Sequence, residues 1–149
     1  MTEIRFYHLQ RQNEHQVLPS LLSKALSNGH KIIVKCANDA EKEKLNEYLW
    51  TYNPDSFLPH GSNKDGNEKM QPIWLTAKDE NPNGADVLII SQGAQAENMD
   101  DFTLCCEMLD GQDEDAVKDA RTRWKTYKEQ GFEVTYWQQS DQGSWEKKA

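Results

Sequence analysis

The sequence predicts a single α/β domain in three layers, with a mainly parallel sheet flanked by helices. Three observations carry that prediction. Short apolar or alternating runs of strand length recur at 3–8, 31–36, 72–76, 85–90, 101–109 and 132–137. Stretches with helical spacing of apolar residues separate the first three runs and the last two, which is the alternation that builds a parallel sheet. The 149 residues fit one domain with one core.

Each element has a local reason. Glu3-Ile-Arg-Phe-Tyr-His8 alternates apolar and polar residues and reads as the first strand. Asn13 to Ser27 reads as a helix with Val17, Leu21, Leu22, Ala25 and Leu26 on its apolar stripe. Pro19 falls in its first turns, and Asn28-Gly29 closes it. Lys31-Ile-Ile-Val-Lys-Cys36 is a β-branched run that reads as a buried strand. Asn38-Asp39 offers an N-cap to a second helix over Ala40–Trp50, with Leu45, Tyr48 and Leu49 inward. Thr51 to Gly61 reads as an ordered loop, and polar Ser62–Lys69, with Asp65-Gly66, as a flexible excursion.

Pro72–Thr76 is the next strand, and Asn81-Pro-Asn-Gly84 a strong turn. Ala85-Asp-Val-Leu-Ile-Ile90 is the most apolar strand and is expected to lie centrally. Asp101–Leu109 follows as a strand, then a helix from Asp113 to Glu129. Gly131 stops that helix, and Phe132–Trp137 is the last strand. The domain is thus expected to occupy 1–137. The polar segment 138–149, which contains Trp145, is expected to fray as a flexible tail.

Composition excludes several classes of function. The net charge of −8 and pI of about 5.0 argue against strong direct binding to nucleic acid, whose affinity comes mainly from phosphate neutralisation. No apolar run approaches the ~20 residues that span a bilayer, and the N-terminus lacks a signal-peptide pattern. Cys36, Cys105 and Cys106 form no disulfide framework, which fits a reducing compartment and a cytoplasmic location. Adjacent Cys105 and Cys106 would point to opposite faces of a strand, so both thiolates cannot readily hold one metal.

Signatures of chemistry are missing too. No glycine-rich phosphate fingerprint occurs, and Leu9-Gln-Arg-Gln-Asn13 after the first strand has no glycine to bring backbone N–H groups onto a phosphate. His8, His15, His30 and His60 lack metal-ligand spacing. Neither Ser56 nor Ser91 lies in a nucleophile elbow. Asp113, Glu114 and Asp115 begin a helix, where negative charge offsets the macrodipole. The residues therefore point to no cofactor, no metal and no catalysis.

Two segments stand out. Between Lys118 and Lys128 five cations, Lys118, Arg121, Arg123, Lys125 and Lys128, meet the single carboxylate of Asp119 in an otherwise acidic chain. Trp124 and Tyr127 sit among them. Val117, Arg121, Trp124 and Lys128 form one helical stripe with Lys125 beside it, which suits an anionic partner. Cations in the last turns also complement the helix dipole, so a solvated face explains the same residues. The second segment, Leu49 to His60, carries Trp50, Tyr52, Phe57 and Leu58. Aromatics at that density suit either an interface anchor or a cap on the core.

Phe6-Tyr7 in the first strand, Leu49-Trp50 followed by Asp55-Ser-Phe-Leu-Pro-His60, and Ala120-Arg-x-Arg-Trp-Lys-x-Tyr-Lys-x-x-Gly-Phe132 occur in this order across nearly the whole chain. Together they resemble the chi-subunit family of bacterial DNA polymerase III. The resemblance implies a Rossmann-like domain without a nucleotide site. It implies a non-catalytic clamp-loader accessory that pairs with the psi subunit as a heterodimer and binds the acidic C-terminal tail of single-stranded-DNA-binding protein. That tail ends in an aromatic residue with a free carboxylate. By the same resemblance Lys118, Arg121, Trp124 and Lys125 match tail-binding positions, and Trp50, Phe57, Leu58 and Pro59 fall on the psi-binding surface. Where the family can carry a basic residue one turn before the arginine, this chain has Val117 with Lys118 adjacent. Outside the resemblance, a nucleotide-binding α/β enzyme or an adaptor for another acidic peptide remains open.

Overall fold

The computed structural model describes residues 2–9, 14–51, 59–62, 66–91, 93–139 and 145–148, with the backbone alone at 14–16. In chain order the elements are β1 (Glu3–Leu9), α1 (Glu14–Ser27), β2 (Ile32–Lys35), α2 (Asp39–Thr51), β3 (Ile73–Thr76), β4 (Val87–Ile90), β5 (Leu104–Asp110), α3 (Glu114–Glu129), β6 (Glu133–Gln139) and β7 (Trp145–Lys147). Among the described residues the strands form one seven-stranded sheet in the order β3-β2-β4-β5-β1-β6-β7. All neighbours are parallel except β6 and β7.

The sheet divides the core into two layers. On one face α1 and α2 cover β2 to β4, with Leu18, Leu22, Leu45 and Leu49 packed on Ile32, Val34, Leu75 and Ile89. On the other face α3 and a 3-10 turn at Met99–Asp101 cover Ile4, Phe6, Leu88, Ile90 and Cys105. Every residue of β2, β3 and β4 is buried, as expected for parallel strands with material on both sides. Cys105 and Cys106 lie in opposite layers, as their adjacency on a strand dictates.

Pro19 falls in the second turn of α1, as expected, with its ring buried. The structure departs from the sequence reading in two places. The 3-10 turn takes Asp101, so β5 begins at Leu104 and runs one residue past Leu109. The second departure corrects the expectation that 138–149 frays, for the described residues 138–139 and 145–148. Gln138 and Gln139 continue β6, and Trp145–Lys147 returns antiparallel along it as β7. The Trp145 ring packs edge-on against Tyr7, with centroids 4.9 Å apart. Burial of that ring outweighs the polarity of its neighbours.

What orients α3 is a carboxylate in the sheet. Glu107 alternates with Cys105 and Leu109 on the α3 face of β5 and is 2% exposed. A lone carboxylate there would be severely desolvated. It accepts a charge-assisted hydrogen bond from Arg123 Nε and a second, 3.0 Å long, from Tyr127 Oη. Arg123 and Tyr127 are four residues apart, so both project from one face of α3. Burial nonetheless pushes the Glu107 carboxyl above its usual range, against the pull of Arg123 and Tyr127.

Arg123→Ala should therefore leave Glu107 buried beside the Tyr127 hydroxyl alone, at a cost of about 3 kcal/mol in denaturant unfolding at neutral pH. A carboxyl whose folded pKa is raised binds its proton better in the folded state. The cost of the substitution should then shrink towards about pH 5 and be full at about pH 8. An equal loss at both pH values would show that Arg123 acts through packing and not through the ion pair.

Candidate functional site

α3 is bounded as the sequence predicts. The Asp113 carboxylate accepts from the N–H groups of Asp115 and Ala116, at 3.0 and 3.2 Å. At its end Gly131 adopts φ 92°, a conformation that favours glycine. Between these caps the helix presents two neighbouring stripes. Ala120, Arg123 and Tyr127 face the sheet. Val117, Arg121, Trp124 and Lys128 flank them.

The second stripe borders a cavity of about 390 Å³ between α3 and the sheet. Phe6 and His8 of β1, Leu109 of β5 and Tyr136 of β6 contribute from the sheet, and Val117, Ala120, Arg121 and Trp124 from the helix. The lining is largely apolar and aromatic. Trp124 is braced by Phe6 at 5.8 Å and by Tyr136 edge-on at 6.4 Å between centroids. Lys128 Nζ lies 4.8 Å from the Trp124 ring, a cation–π contact that fixes its outer face. Arg121 is exposed, and among the described residues that line the recess its guanidinium is the permanent cation. Such a recess, with a few convergent polar groups, suits a ligand that combines an aromatic ring with an anion.

Of the tail-binding residues expected from sequence, Arg121 and Trp124 line this cavity. Lys118 and Lys125 are exposed on α3 and do not line it. The fold therefore divides the positive run. Arg123 is taken up by Glu107, and Arg121, two residues earlier, faces the recess. Charge counting could not separate the two. Sequence reasoning also missed His8, Leu109 and Tyr136, which reach the site only through strand pairing. A signal existed for His8, since it follows Phe6 at the strand spacing that places both side chains on one face.

At His8 the imidazole and the Tyr136 hydroxyl are hydrogen-bonded through Nδ1. The ring also lies against Gly111, where a Cβ would collide with it and would come within 2.8 Å of the Leu9 carbonyl oxygen. Glycine is required there by close approach. Burial lowers the His8 pKa below its ordinary value, opposed by a backbone hydrogen bond at Gly111 and by Asp110.

The second expected surface is partly described. Trp50 lies in the last turn of α2 and is 48% exposed, and its ring centroid lies 4.3 Å from that of His60. His60, expected to bond locally in its loop, is buried and reaches the Asn46 carbonyl of α2 through Nε2 at 3.3 Å. Pro59 beside it is half-buried. Phe57 and Leu58 lie outside the described residues.

Other cavities differ in character. One of about 350 Å³ near the start of α2 holds Lys42, which pairs with Asp39, and Glu80, which accepts from Trp74 and Thr76. One of about 820 Å³ lies on the opposite face of the sheet between α1 and β7. Among the described residues no group of three or more His, Cys, Asp or Glu side chains could hold a metal ion. Nor is any described helix long and apolar enough to cross a membrane.

The sequence matches a known family over most of its length. Residues 1–135 match the family described as DNA polymerase III chi subunit, HolC. The chain is 33% identical over 90 residues to the probable DNA polymerase III subunit chi of Rickettsia prowazekii, covering 60% of this chain and 54% of that protein. It is 26% identical over 136 residues to DNA polymerase III subunit chi of Pseudomonas aeruginosa, covering 89% and 93% respectively. Against the Escherichia coli protein of the same name the identity is 24% over 121 residues, covering 80% and 81%. A match over residues 1–135 of the 149 makes this protein a member of the DNA polymerase III chi-subunit family, an accessory subunit of replication.

Proposed function

We propose that this chain is a non-catalytic bridge in the cytoplasmic replication machinery. The cavity beside α3 receives the acidic C-terminal tail of single-stranded-DNA-binding protein, and the surface at Trp50, Pro59 and the neighbouring Phe57 and Leu58 binds the psi subunit of the clamp loader. One observation carries the first half of this reading: an apolar, aromatic-walled recess with the Arg121 guanidinium beside it. The terminal aromatic ring of the tail fits between Trp124, Phe6 and Tyr136. The terminal carboxylate meets Arg121 as a charge-assisted pair. Lys118 and Lys125, exposed outside the recess, attract the upstream acidic residues at longer range, where salt screens them.

The aromatic ring supplies area and Arg121 supplies orientation, so both ends of the tail residue are read. That division makes the interaction specific in spite of a net charge of −8, which would otherwise repel an acidic peptide. Trp50 supports the second half of the reading, because it is a large aromatic held on a helix end and left about half exposed.

Calorimetric titration with a peptide of the tail should give one-to-one binding that weakens with salt and is lost when the terminal aromatic residue is removed. Arg121→Ala should weaken it by about 10- to 100-fold, the range for a lost charge-assisted hydrogen bond, with an unchanged melting curve. Affinity unaltered by the substitution would remove Arg121 from the site. Trp50→Ala should weaken psi binding by about 30-fold or more and leave tail binding intact. Simultaneous loss of both would mean that Trp50 supports the fold instead of a separate surface.

A further inference from the structure

We propose that His8 and Tyr136 form a proton-linked second anchor for the carboxylate that Arg121 receives, so that tail binding takes up a proton at His8. The inference rests on the proposed tail-binding role of the cavity and adds to it a titrating residue.

Three features of the cavity carry it. His8 and Arg121 line the same recess of about 390 Å³, His8 from the sheet and Arg121 from α3. A carboxylate bound in that recess lies within about one Debye length of the imidazole, ~10 Å at ordinary salt. The hydrogen-bond chain is ordered. The Gly111 backbone favours the protonated ring, and Nε2 is the ring nitrogen on the Gly111 side. We assign the proton of the neutral ring to Nε2, which leaves Nδ1 to accept from the Tyr136 hydroxyl.

Among the described residues the charged and titratable groups around His8 are few. Tyr136 faces it from β6, Asp110 from the end of β5, and Arg121 shares the recess from α3. Without ligand, burial disfavours the charged ring more than Asp110 and the Gly111 backbone favour it, and the imidazole is neutral near pH 7. An arriving carboxylate reverses that balance. One proton from solvent binds Nδ1, which becomes a donor to Tyr136 Oη. The Tyr136 hydroxyl proton, no longer directed at Nδ1, turns to the carboxylate. No covalent bond other than the new N–H is made, and the ligand stays ionised.

The sign follows from linkage. The bound complex holds the His8 proton more tightly than the free protein does, so affinity rises as pH falls through the His8 range. Carboxylates of the peptide titrate near pH 4 and do not contribute between about pH 6 and 8. Each unit by which the ligand raises the His8 pKa adds up to about tenfold in affinity.

The test is calorimetric titration of the whole chain with the tail peptide at about pH 6 and pH 8, at one ionic strength and in two buffers of different ionisation enthalpy, which reads proton uptake directly. The expected result is about three- to tenfold tighter binding at the lower pH with fractional proton uptake. His8→Gln should flatten the pH dependence. So should Tyr136→Phe, which keeps the ring wall against Trp124 and removes only the hydroxyl. A peptide amidated at its C-terminus should bind weakly and without proton uptake. Equal affinity and no proton uptake at both pH values would overturn the inference and leave tail binding in place. A pH dependence that survives in both variants would also overturn it. No binding at either pH would overturn the tail-binding reading, and this inference with it.

Discussion

The fold of the site depends on one buried carboxylate. Glu107 lies in the middle of a parallel sheet, next to Phe6 of β1 and Ile90 of β4 in register. It is tolerable there only because α3 brings Arg123 and Tyr127 down onto it. An apolar residue at 107 would still be covered, but the helix could rotate or slide at little cost. A carboxylate with two directed donors fixes the helix about its axis. Successive residues are ~100° apart on a helix, so pointing Arg123 at the sheet turns Arg121 well away from it and Trp124 to the side. The recess is the space left beside that fixed orientation, with small Ala120 as the buried side chain of the helix at its back.

The same arrangement explains the segregation of charge. Counted along the chain, Lys118 to Lys128 reads as one basic run, with five cations to a single carboxylate. In the folded protein Arg123 is neutralised by a partner in the sheet, Lys128 lies over an indole, and Arg121 remains beside an apolar wall. Acidic residues dominate the rest of the surface, which keeps polyanions from adhering generally. A short anionic peptide is bound, on the proposed reading, by close contacts that exceed a weak repulsion screened over a Debye length.

Much of this was legible in the sequence, because much of it is local. The apolar runs at β2 and β4, the acidic start of α3 at Asp113 and its stop at Gly131 each have a near-neighbour cause, and the order of elements implied the parallel sheet. What could not be read is non-local. Strand β7 has three residues, two of them charged, and forms because Trp145 finds Tyr7 across the sheet. The cavity needs β1, β5 and β6 side by side, over a hundred residues apart in sequence for His8 and Tyr136. The distinction between Arg121 and Arg123 depends on Glu107, which reads as an unremarkable strand residue until its burial is known.

Bridging two partners requires two surfaces that do not compete and a body between them that does not yield. Trp50 lies in the last turn of a helix on one face of the sheet, and the Arg121 recess lies under a helix on the other. Between them run β2, β4 and β5, buried or nearly so along their lengths and bonded in continuous register. A parallel sheet covered on both faces is among the stiffer arrangements a small domain can form, since displacing one strand breaks ladders on both sides and unpacks two layers. On the proposed reading, these paired strands stand between one binding surface and the other. On the proposed reading the partners are held together by rigid separation, and coupling between them is confined to what titrates inside the recess itself.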